Sequence, residues 1–583
     1  MPKRTETLME ARQRERPVWP GLTLEAVLYA LLVLGAAFMR FYDLGRWPLR
    51  TEEATQALAA WRFLHAQPAG SGAVPLLFDG ALLGFFAFGA SDTVARALPA
   101  LLGTALVLLP LALRSRLGSW GTLAATFLLA FSPSLVFYSR TLAGAVPALA
   151  GLGALLGALE LVRRERWREA RAAAVGGLAV ALTASAWSYT FILAALAFVG
   201  LGWAASRRGQ PWPGWPALQK ALRPALSDRR AWVGLGLAVV PLSTALFLNL
   251  RGLQGTVDLL GEWLARLLPG GGGRAWLYPL GLLVYYETGA LVLGVAGLAV
   301  GLRRRDPWAG FLGGWAALAV VQAGAFGAPD PAPVAFALLP LSLLAGLAVS
   351  EIASSLRPAQ GAWVASCLFV LSALAGFWWL QLVAYTNPVA SATLGESEEY
   401  VRALVLLVPL FLLAAIAVFW YWVGREETSW AVVLLGLGLL ACLAVRMSVR
   451  VGFTHARDPR EPLVVRPSAV DLKDMVRFLE DWSVRKEGDQ HALTVAVDES
   501  LSPLVPWYLR EFPAPAATAA AGAIVVRSEP ARPALAGYVG QRFRLRSWSD
   551  APLGSGQNAV AWWLLGTGGG VVQAETLELW IKP

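Results

Sequence analysis

Two adjacent carboxylates, Glu52 and Glu53, follow Arg50 in the stretch FYDLGRWPLRTEEATQALAAWRFL, just after an almost wholly apolar run from about 22 to 40. A carboxylate placed just beyond a membrane exit sits where a lipid-linked substrate presents its head group. There it can act as a general base toward an acceptor hydroxyl or amine, with its neighbour as helper. Arg50 beside it can contact a phosphate. The same residues also suit a helix start, with Thr51 as N-cap and both acids in the first turn, where the helix dipole favours negative charge. The local sequence allows both readings.

Two further constellations carry charge into apolar surroundings. In FSPSLVFYSRTLAGAVP, Tyr138 and Arg140 fall at an expected outer membrane edge. An arginine there can clamp a lipid phosphate through two hydrogen bonds, or it can snorkel to head groups. In WLYPLGLLVYYETGALVLGVAGL, Tyr286 precedes Glu287, and Glu287 lies ten residues past Leu277. That is about 15 Å along a helix. An ionised carboxylate near the bilayer centre costs about 2.5–3.5 kcal/mol, so it needs a partner or a polar cavity, unless the helix projects and Glu287 is shallow. We expect Glu52, Arg140 and Glu287 to line one outward-facing pocket. Asp498 and Glu499 stand between a strand and a helix, a place for a ligand and equally an acidic helix start. His65, His455 and His491 are scattered and show no metal-ligand spacing. A divalent ion is compatible with paired carboxylates, but nothing in the sequence supports one, and no phosphate loop or dinucleotide fingerprint is present. No cofactor is expected.

The elements that must position these residues are membrane spans. Of 583 residues 56% are hydrophobic and 15% charged, where soluble domains carry about 25% charged residues. Thirteen apolar runs read as spans, at about 22–40, 92–113, 119–137, 142–162, 172–186, 188–206, 230–250, 277–301, 307–325, 332–351, 361–383, 400–422 and 430–450. The least marked boundary is at Ser185–Ser188. The stretch 76–88 is too short to span and holds Asp79, so it reads as re-entrant or interfacial. No small-residue cleavage site follows the first run, which is therefore expected to stay as a span. Cys367 and Cys442 both fall in spans and form no disulfide framework.

Basic residues cluster in alternate loops: Lys3 to Arg16, Arg114 and Arg116, Arg163 to Arg171, Arg207 to Arg230, and Arg303 to Arg305. These are expected inside, which puts the N-terminus in the cytoplasm, and the Glu52 loop and the tail outside, in a multi-pass plasma-membrane protein. The net charge of +10 is then mostly an orientation signal, and no basic soluble patch suggests nucleic acid. Trp47, Trp61, Trp263 and Trp276 suit the outer interface. From about 451 the pattern changes. VRPSAVDLKDMVRFLEDWSVRKEG reads as a helix, HALTVAVDES as a strand and PLVPWYLREF as a short helix. AGAIVVRSE and QRFRLRSW read as two more strands. Residues 451–583 thus form a small α/β domain after a membrane domain of 1–450, and no internal repeat is visible.

These features resemble the GT-C superfamily, near the protein O-mannosyltransferases, aminoarabinose transferases and, closest, the flippase-activity-associated membrane proteins. The likeness rests on the first span followed by RFYDLG.WPL and two acids, on the block ARALPALLGTALVLLPLALRSRLGSWGTLAATFLLAFSPSLVFYSR, on Tyr286-Glu287 and on WYLR at 507–510. It implies a mainly α, GT-C-like membrane fold. It also implies a polyprenyl-phosphate sugar donor, an outer-face site and an inverting transfer, with Glu52 at the position of the family's base and Glu53 beside it. The chain departs from the family pattern at several places. The first acid is Glu where the family has Asp. Ala145 stands near an expected second acid. Trp187-Ser188-Tyr189 replaces a Lys-Glu pair, and APDPAPV, with Asp330 as its only charge, replaces Glu-Lys-x-Pro-Trp. The expectation is a glycosyltransferase acting on an envelope acceptor, with membrane lipid as partner. The alternative is a degenerate relative that binds lipid or serves as a scaffold subunit of a membrane complex.

Overall fold

The computed structural model describes residues 23–67, 74–209, 219, 229–267, 277–326, 330–356, 359–386, 398–501, 503–515, 521–528, 535–549, 561–564, 566 and 570–583. The basic N-terminus, most of the Arg207–Arg230 cluster, LPGGGGRAW with Trp276, and 516–520 of the PAPAATAAAGA stretch lie outside them.

The helices follow the apolar runs. Thr23 caps α1 (Leu24–Phe41), its hydroxyl accepting from the Ala26 N–H. Two connecting helices follow, α2 (Thr51–Leu64) and α3 (Pro75–Phe88). Next, α4 (Asp92–Leu106) and α5 (Leu109–Ala112) run on as one span, and α6 (Arg114–Ala130) and α7 (Pro133–Ser139) form a pair bent by 52°. Then come α8 (Ala145–Arg163), α9 (Trp167–Ala184), α10 (Ser188–Arg207), α11 (Arg229–Ser243) and α12 (Gly252–Leu267). A second pair, α13 (Tyr278–Tyr286) and α14 (Thr288–Arg303), turns through 105°. The membrane part closes with α15 (Pro307–Phe326), a 3-10 turn at Ala332–Val334, α16 (Ala335–Ser355), α17 (Gly361–Thr386), α18 (Glu398–Trp422) and α19 (Arg425–Val449).

Among the described residues nine helices are long and apolar enough to cross a membrane, and eleven if each bent pair is one span. This is a multi-pass membrane protein. Two of the thirteen expected spans fall short. Charged Arg168, Glu169 and Arg171 open α9, and α11 has only 15 residues. α11 stops because Ala245, Leu246 and Phe247 take left-handed backbone, at φ 47°, 56° and 72°, which no helix of L-residues continues through. The break expected near Ser185 is present: Ser185 is extended, and the Ser188 hydroxyl donates to its carbonyl at 2.6 Å. α3, of 14 residues, is too short to span, as expected, and packs on α2 and α4.

α16 is the hub, almost wholly enclosed by α6, α8, α14 and α15. Two close approaches need glycine. A Cβ on Gly297 would lie 1.8 Å from the Leu344 carbonyl oxygen, and one on Gly121 would lie 2.4 Å from that of Gly346. Helices packed backbone to backbone in this way gain dispersion contacts that lipid cannot replace.

The tail contains α20 (Asp471–Glu487), β1 (Val495–Val497), α21 (Leu504–Tyr508), β2 (Ala523–Arg527), β3 (Val539–Trp548) and β4 (Gln573–Ile581). The sheet order is β1-β2-β4-β3, with β1 and β2 parallel and the other pairs antiparallel. The sequence reading found the small α/β domain but not β4, the central strand between β2 and β3. The tail does not stand apart from the membrane part. Leu472, Met475, Leu504 and Trp507 share one apolar core with Leu49, Ala57, Leu77 and Phe78 of the α2–α3 region. Each such fully buried large side chain contributes about 1.5–3 kcal/mol, so the loop that carries Glu52 is glued to the tail.

Candidate active site

The loop from α1 to α2 is wrapped around one arginine. Arg96, on α4, is buried and donates to the carbonyls of Leu44 at 3.1 Å, Trp47 at 2.9 Å and Pro48 at 3.1 Å. Its remaining donors form a two-pronged ion pair with Glu53, both contacts at 2.8 Å. Glu53 also accepts from the N–H groups of Arg50 and Leu142, each at 2.7 Å, and lies 3.7 Å from Arg457. Burial pushes the Glu53 carboxyl up. Arg96, Arg457 and the Arg50 N–H outweigh burial and bring it down to about 2. Glu53 is therefore ionised and engaged by protein on both oxygens.

Glu52 has the opposite surroundings. Arg50 is the N-cap of α2 and Thr51 its first residue, so the helix starts one residue earlier than the sequence suggests. Glu52 and Glu53 take the next two positions, about 100° apart around the axis. One therefore turns inward and the other outward: the Glu53 side chain is 3% exposed and that of Glu52 is 79% exposed. The nearest charge to Glu52 is the Arg50 guanidinium, at 4.0 Å. Arg50 is itself held by donating to the Val465 carbonyl at 3.1 Å.

A second carboxylate faces the same charges. Asp330, in the turn before α16, accepts from the Ala332 N–H at 2.9 Å. It reaches solvent, yet enough protein surrounds it that burial pushes its carboxyl up. The Ala332 N–H, Arg50 and Arg266 oppose that shift, and Glu52 adds to it. Arg266 ends α12, where it pairs with Glu262 and lies over the Trp187 ring, 4.3 Å from its centroid. Residues from four distant segments, Arg50 and Glu52, Trp187, Arg266 and Asp330, thus gather at one place. Two carboxyls with opposed surroundings beside two guanidiniums can accept a proton and seat a phosphate.

The other expected site residues lie elsewhere and are occupied by protein. Arg140 donates to the carbonyls of Met39 at 3.1 Å and Tyr42 at 2.7 Å, and sits 4.3 Å from the Phe453 centroid. Tyr138 is buried edge-on against Phe137. The Tyr286 hydroxyl donates to Glu461 at 2.6 Å, and Glu461 pairs with Arg450. Glu287 accepts from the Ser132 hydroxyl at 2.7 Å and the Ser134 N–H at 2.9 Å. Arg140 is the C-cap of α7 and Glu287 holds its N-terminus. The two stand at opposite ends of a seven-residue helix, about 10 Å apart. A break leaves helix-end N–H and C=O groups that lipid cannot satisfy; Glu287 takes those at the start of α7, while Arg140 takes carbonyls at the end of α1. Arg40 does the same for α6, donating to the carbonyls of Leu129 and Ala130. In the tail, Asp498 accepts from the Ser500 N–H at 3.0 Å, the helix-start reading.

Sequence reasoning missed Arg96, Arg266, Asp330 and Arg457 as parts of this arrangement. Asp330 had a signal, as the only charge in APDPAPV. Arg96 had one too, as a lone cation opening a span. Arg266 and Arg457 had none. Among the described residues no group of three or more His, Cys, Asp or Glu side chains is placed to hold a metal.

No protein-family model and no curated protein matches the chain. Solved structures do. The crystal structure of ArnT from Cupriavidus metallidurans bound to undecaprenyl phosphate is 16% identical, with 84% of this chain and 85% of that one covered and a TM-score of 0.50. The apo state of the same protein is 16% identical, with 84% of each chain covered and a TM-score of 0.51. An Archaeoglobus fulgidus oligosaccharyltransferase tethered with an acceptor peptide is 12% identical, with 85% and 64% covered, and its TM-score of 0.46 is too low to carry an argument. The overall course of the chain is thus the one seen in the ArnT structures, a fold that the sequence resemblance leads one to expect.

Proposed function

We propose that the chain is a membrane glycosyltransferase that moves a sugar from a polyprenyl-phosphate donor to an envelope acceptor. The observation that carries this reading is the gathering of exposed Glu52, Asp330, Arg50 and Arg266 at the end of a tightly held loop. The undecaprenyl phosphate bound by ArnT, which shares the fold, supports the lipid class of the donor. In the reaction the acceptor O–H or N–H gives its proton to Glu52 as its oxygen or nitrogen attacks the anomeric carbon. The bond from that carbon to the phosphate oxygen breaks, and the polyprenyl phosphate leaves with the electron pair. Arg50 and Arg266 offset the charge that grows on the departing phosphate. Asp330 stands beside both guanidiniums, its carboxyl raised by burial. Glu53 is not a second base in this scheme; it fixes the loop. Arg140 and Glu287 hold helix ends that frame the site, and Tyr286 holds Glu461. No metal is assigned.

Arg266→Ala tests the phosphate seat. It should raise the KM for the lipid donor about 10- to 100-fold, the equivalent of roughly 1.5–3 kcal/mol for a charge-assisted contact. Titration of the reconstituted protein with polyprenyl phosphate should show the same loss of affinity. An unchanged KM and affinity would remove Arg266 from the donor site. If the wild type turns over no donor while lipid phosphate still binds, the scaffold reading replaces the enzyme.

Orientation has its own test. The basic loops support a cytoplasmic N-terminus and a tail outside the plasma membrane. A cysteine introduced at an exposed tail position such as Arg477 should react with a membrane-impermeant thiol reagent on intact cells. Labelling only after permeabilisation would invert the topology and move the site to the inner face.

A further inference from the structure

The segment just before Glu52 is held by the tail. The Tyr508 hydroxyl, at the end of α21, accepts the Leu49 N–H at 2.6 Å and donates to Asp92 at 3.0 Å. The Leu49 carbonyl accepts from the Ser468 hydroxyl at 2.7 Å. Both polar backbone groups of Leu49, three residues before Glu52, are therefore bonded to tail side chains. The neighbouring contacts follow the same pattern. Lys473 donates to the Gly45 carbonyl at 2.7 Å and pairs with Asp92 at 2.8 Å. The Trp507 indole donates to Asp92 at 2.9 Å, Arg457 donates to the Pro48 carbonyl, and Arg50 donates to the Val465 carbonyl. The span residue Asp92 is thus a shared anchor for Lys473, Trp507 and Tyr508.

We infer that Tyr508 and Ser468 are positioning residues, through which the C-terminal domain sets the register of residues 45–52 and so the aim of the Glu52 carboxylate. This rests on the reading of Glu52 as the base. The loop has no regular structure from Leu44 to Arg50, so its path is set by the groups that bind it. Arg96 holds it from the membrane side. Tyr508 and Ser468 hold it from the tail side and fix the residue nearest α2. A displacement of about 1 Å at the carboxylate is enough to cost ~100-fold in rate.

The test is Tyr508→Phe in the full chain, reconstituted in lipid nanodiscs. The change removes one oxygen and keeps the ring in the shared core. Amide exchange in peptides covering 45–52 should speed up about 10-fold, the effect of one lost hydrogen bond of ~1.4 kcal/mol. Exchange in α20 and the sheet should stay as it is. The kcat for transfer should fall about 10- to 100-fold with an unchanged donor KM and an unchanged unfolding midpoint. Ser468→Ala, which releases the Leu49 carbonyl instead, should reproduce both effects and serves if the tyrosine variant folds poorly. Exchange at 45–52 that does not change in either variant, or that rises equally across the tail and the spans, would overturn the inference. Exchange is read without turnover. An inactive wild type would therefore sink the transferase reading, while the exchange result still decides whether the tail holds the loop.

Discussion

Replacing Glu52 by Gln is expected to lower sugar transfer about 100- to 10,000-fold, the range for a lost general base. The substitution is nearly isosteric, and the side chain is exposed, with the Arg50 guanidinium 4.0 Å away. Unfolding and donor-lipid binding should therefore stay close to wild type. The loss should fall on kcat, because a base acts on the acceptor in the transition state and not on the bound donor. Glu52→Asp is the second arm. It draws the carboxylate back by about one bond, and in a site built around Glu that should also slow transfer. Asp330 gives the experiment a pH signature. Burial raises its carboxyl, and the negative charge of Glu52 raises it further. Removing that charge in Glu52→Gln takes away one of the influences that raise the Asp330 carboxyl, so its titration should move down. Transfer from a polyprenyl-phosphate sugar in reconstituted membranes, for the wild type and both variants, measures the effect. Equal rates in all three would remove Glu52 from the chemistry.

Part of this site was legible in the sequence, and the boundary has a physical cause. Glu52 and Arg50 could be singled out because two acids and a base after an apolar run are rare in a chain with so few charges. Which of the two acids works could not be read, because adjacent helical residues differ only in facing. The answer depends on Arg96, 43 positions after Glu53, and on Arg457, far beyond that. The contribution of Asp330 is equally non-local: its partners Arg50 and Arg266 are joined to it by the whole path of the spans. Arg140 and Glu287 misled for a different reason. A charge in the membrane needs a partner, but that rule does not say whether the partner is a substrate or a helix end. Here the break between α6 and α7 supplies the helix end that Glu287 holds, and the end of α1 supplies the carbonyls that Arg140 holds; neither leaves a trace in hydropathy.

The fold shows the same division. Helices and orientation signals are local, so the runs at 92–113, 142–162, 332–351 and 361–383 became spans nearly where expected. The two runs that fell short, at 172–186 and 230–250, failed through details that hydropathy averages away: arginines in the first turn of α9, and left-handed backbone at Ala245–Phe247. In the tail, α20 and three strands were visible. The strand β4, central in the sheet, was not, although Leu577 and Leu579 turn to the core. Its outward Glu578 is also buried, by pairing with Arg542 on β3, and that pairing could be seen only once the sheet was assembled.

Breaking the buried Glu53–Arg96 pair from one side should be strongly destabilising. Glu53→Gln leaves Arg96 and Arg457 facing each other without their counter-charge, and breaking a buried ion pair from one side costs about 3–5 kcal/mol. Both partners are almost fully enclosed, at 2% and 3% side-chain exposure, so solvent cannot take over the lost contact. The double variant Glu53→Gln with Arg96→Met should recover part of that stability, since it removes the uncompensated Arg96 charge. It should not recover transfer, because the carbonyls of Leu44, Trp47 and Pro48 lose the arginine that gathers them. Acid gives an independent reading. The folded carboxyl of Glu53 sits at about 2, below its ordinary value of 4.5. Its contribution is therefore complete above about pH 4.5 and is lost as pH falls toward 2. The wild type should lose stability steeply across that window, and Glu53→Gln should lose less. Unfolding midpoints in mixed micelles at neutral and acid pH, with transfer rates for the single and double variants, would measure all of this. A Glu53→Gln protein as stable as wild type at neutral pH, with the same acid profile, would show that the loop around Arg96 stands without its ion pair.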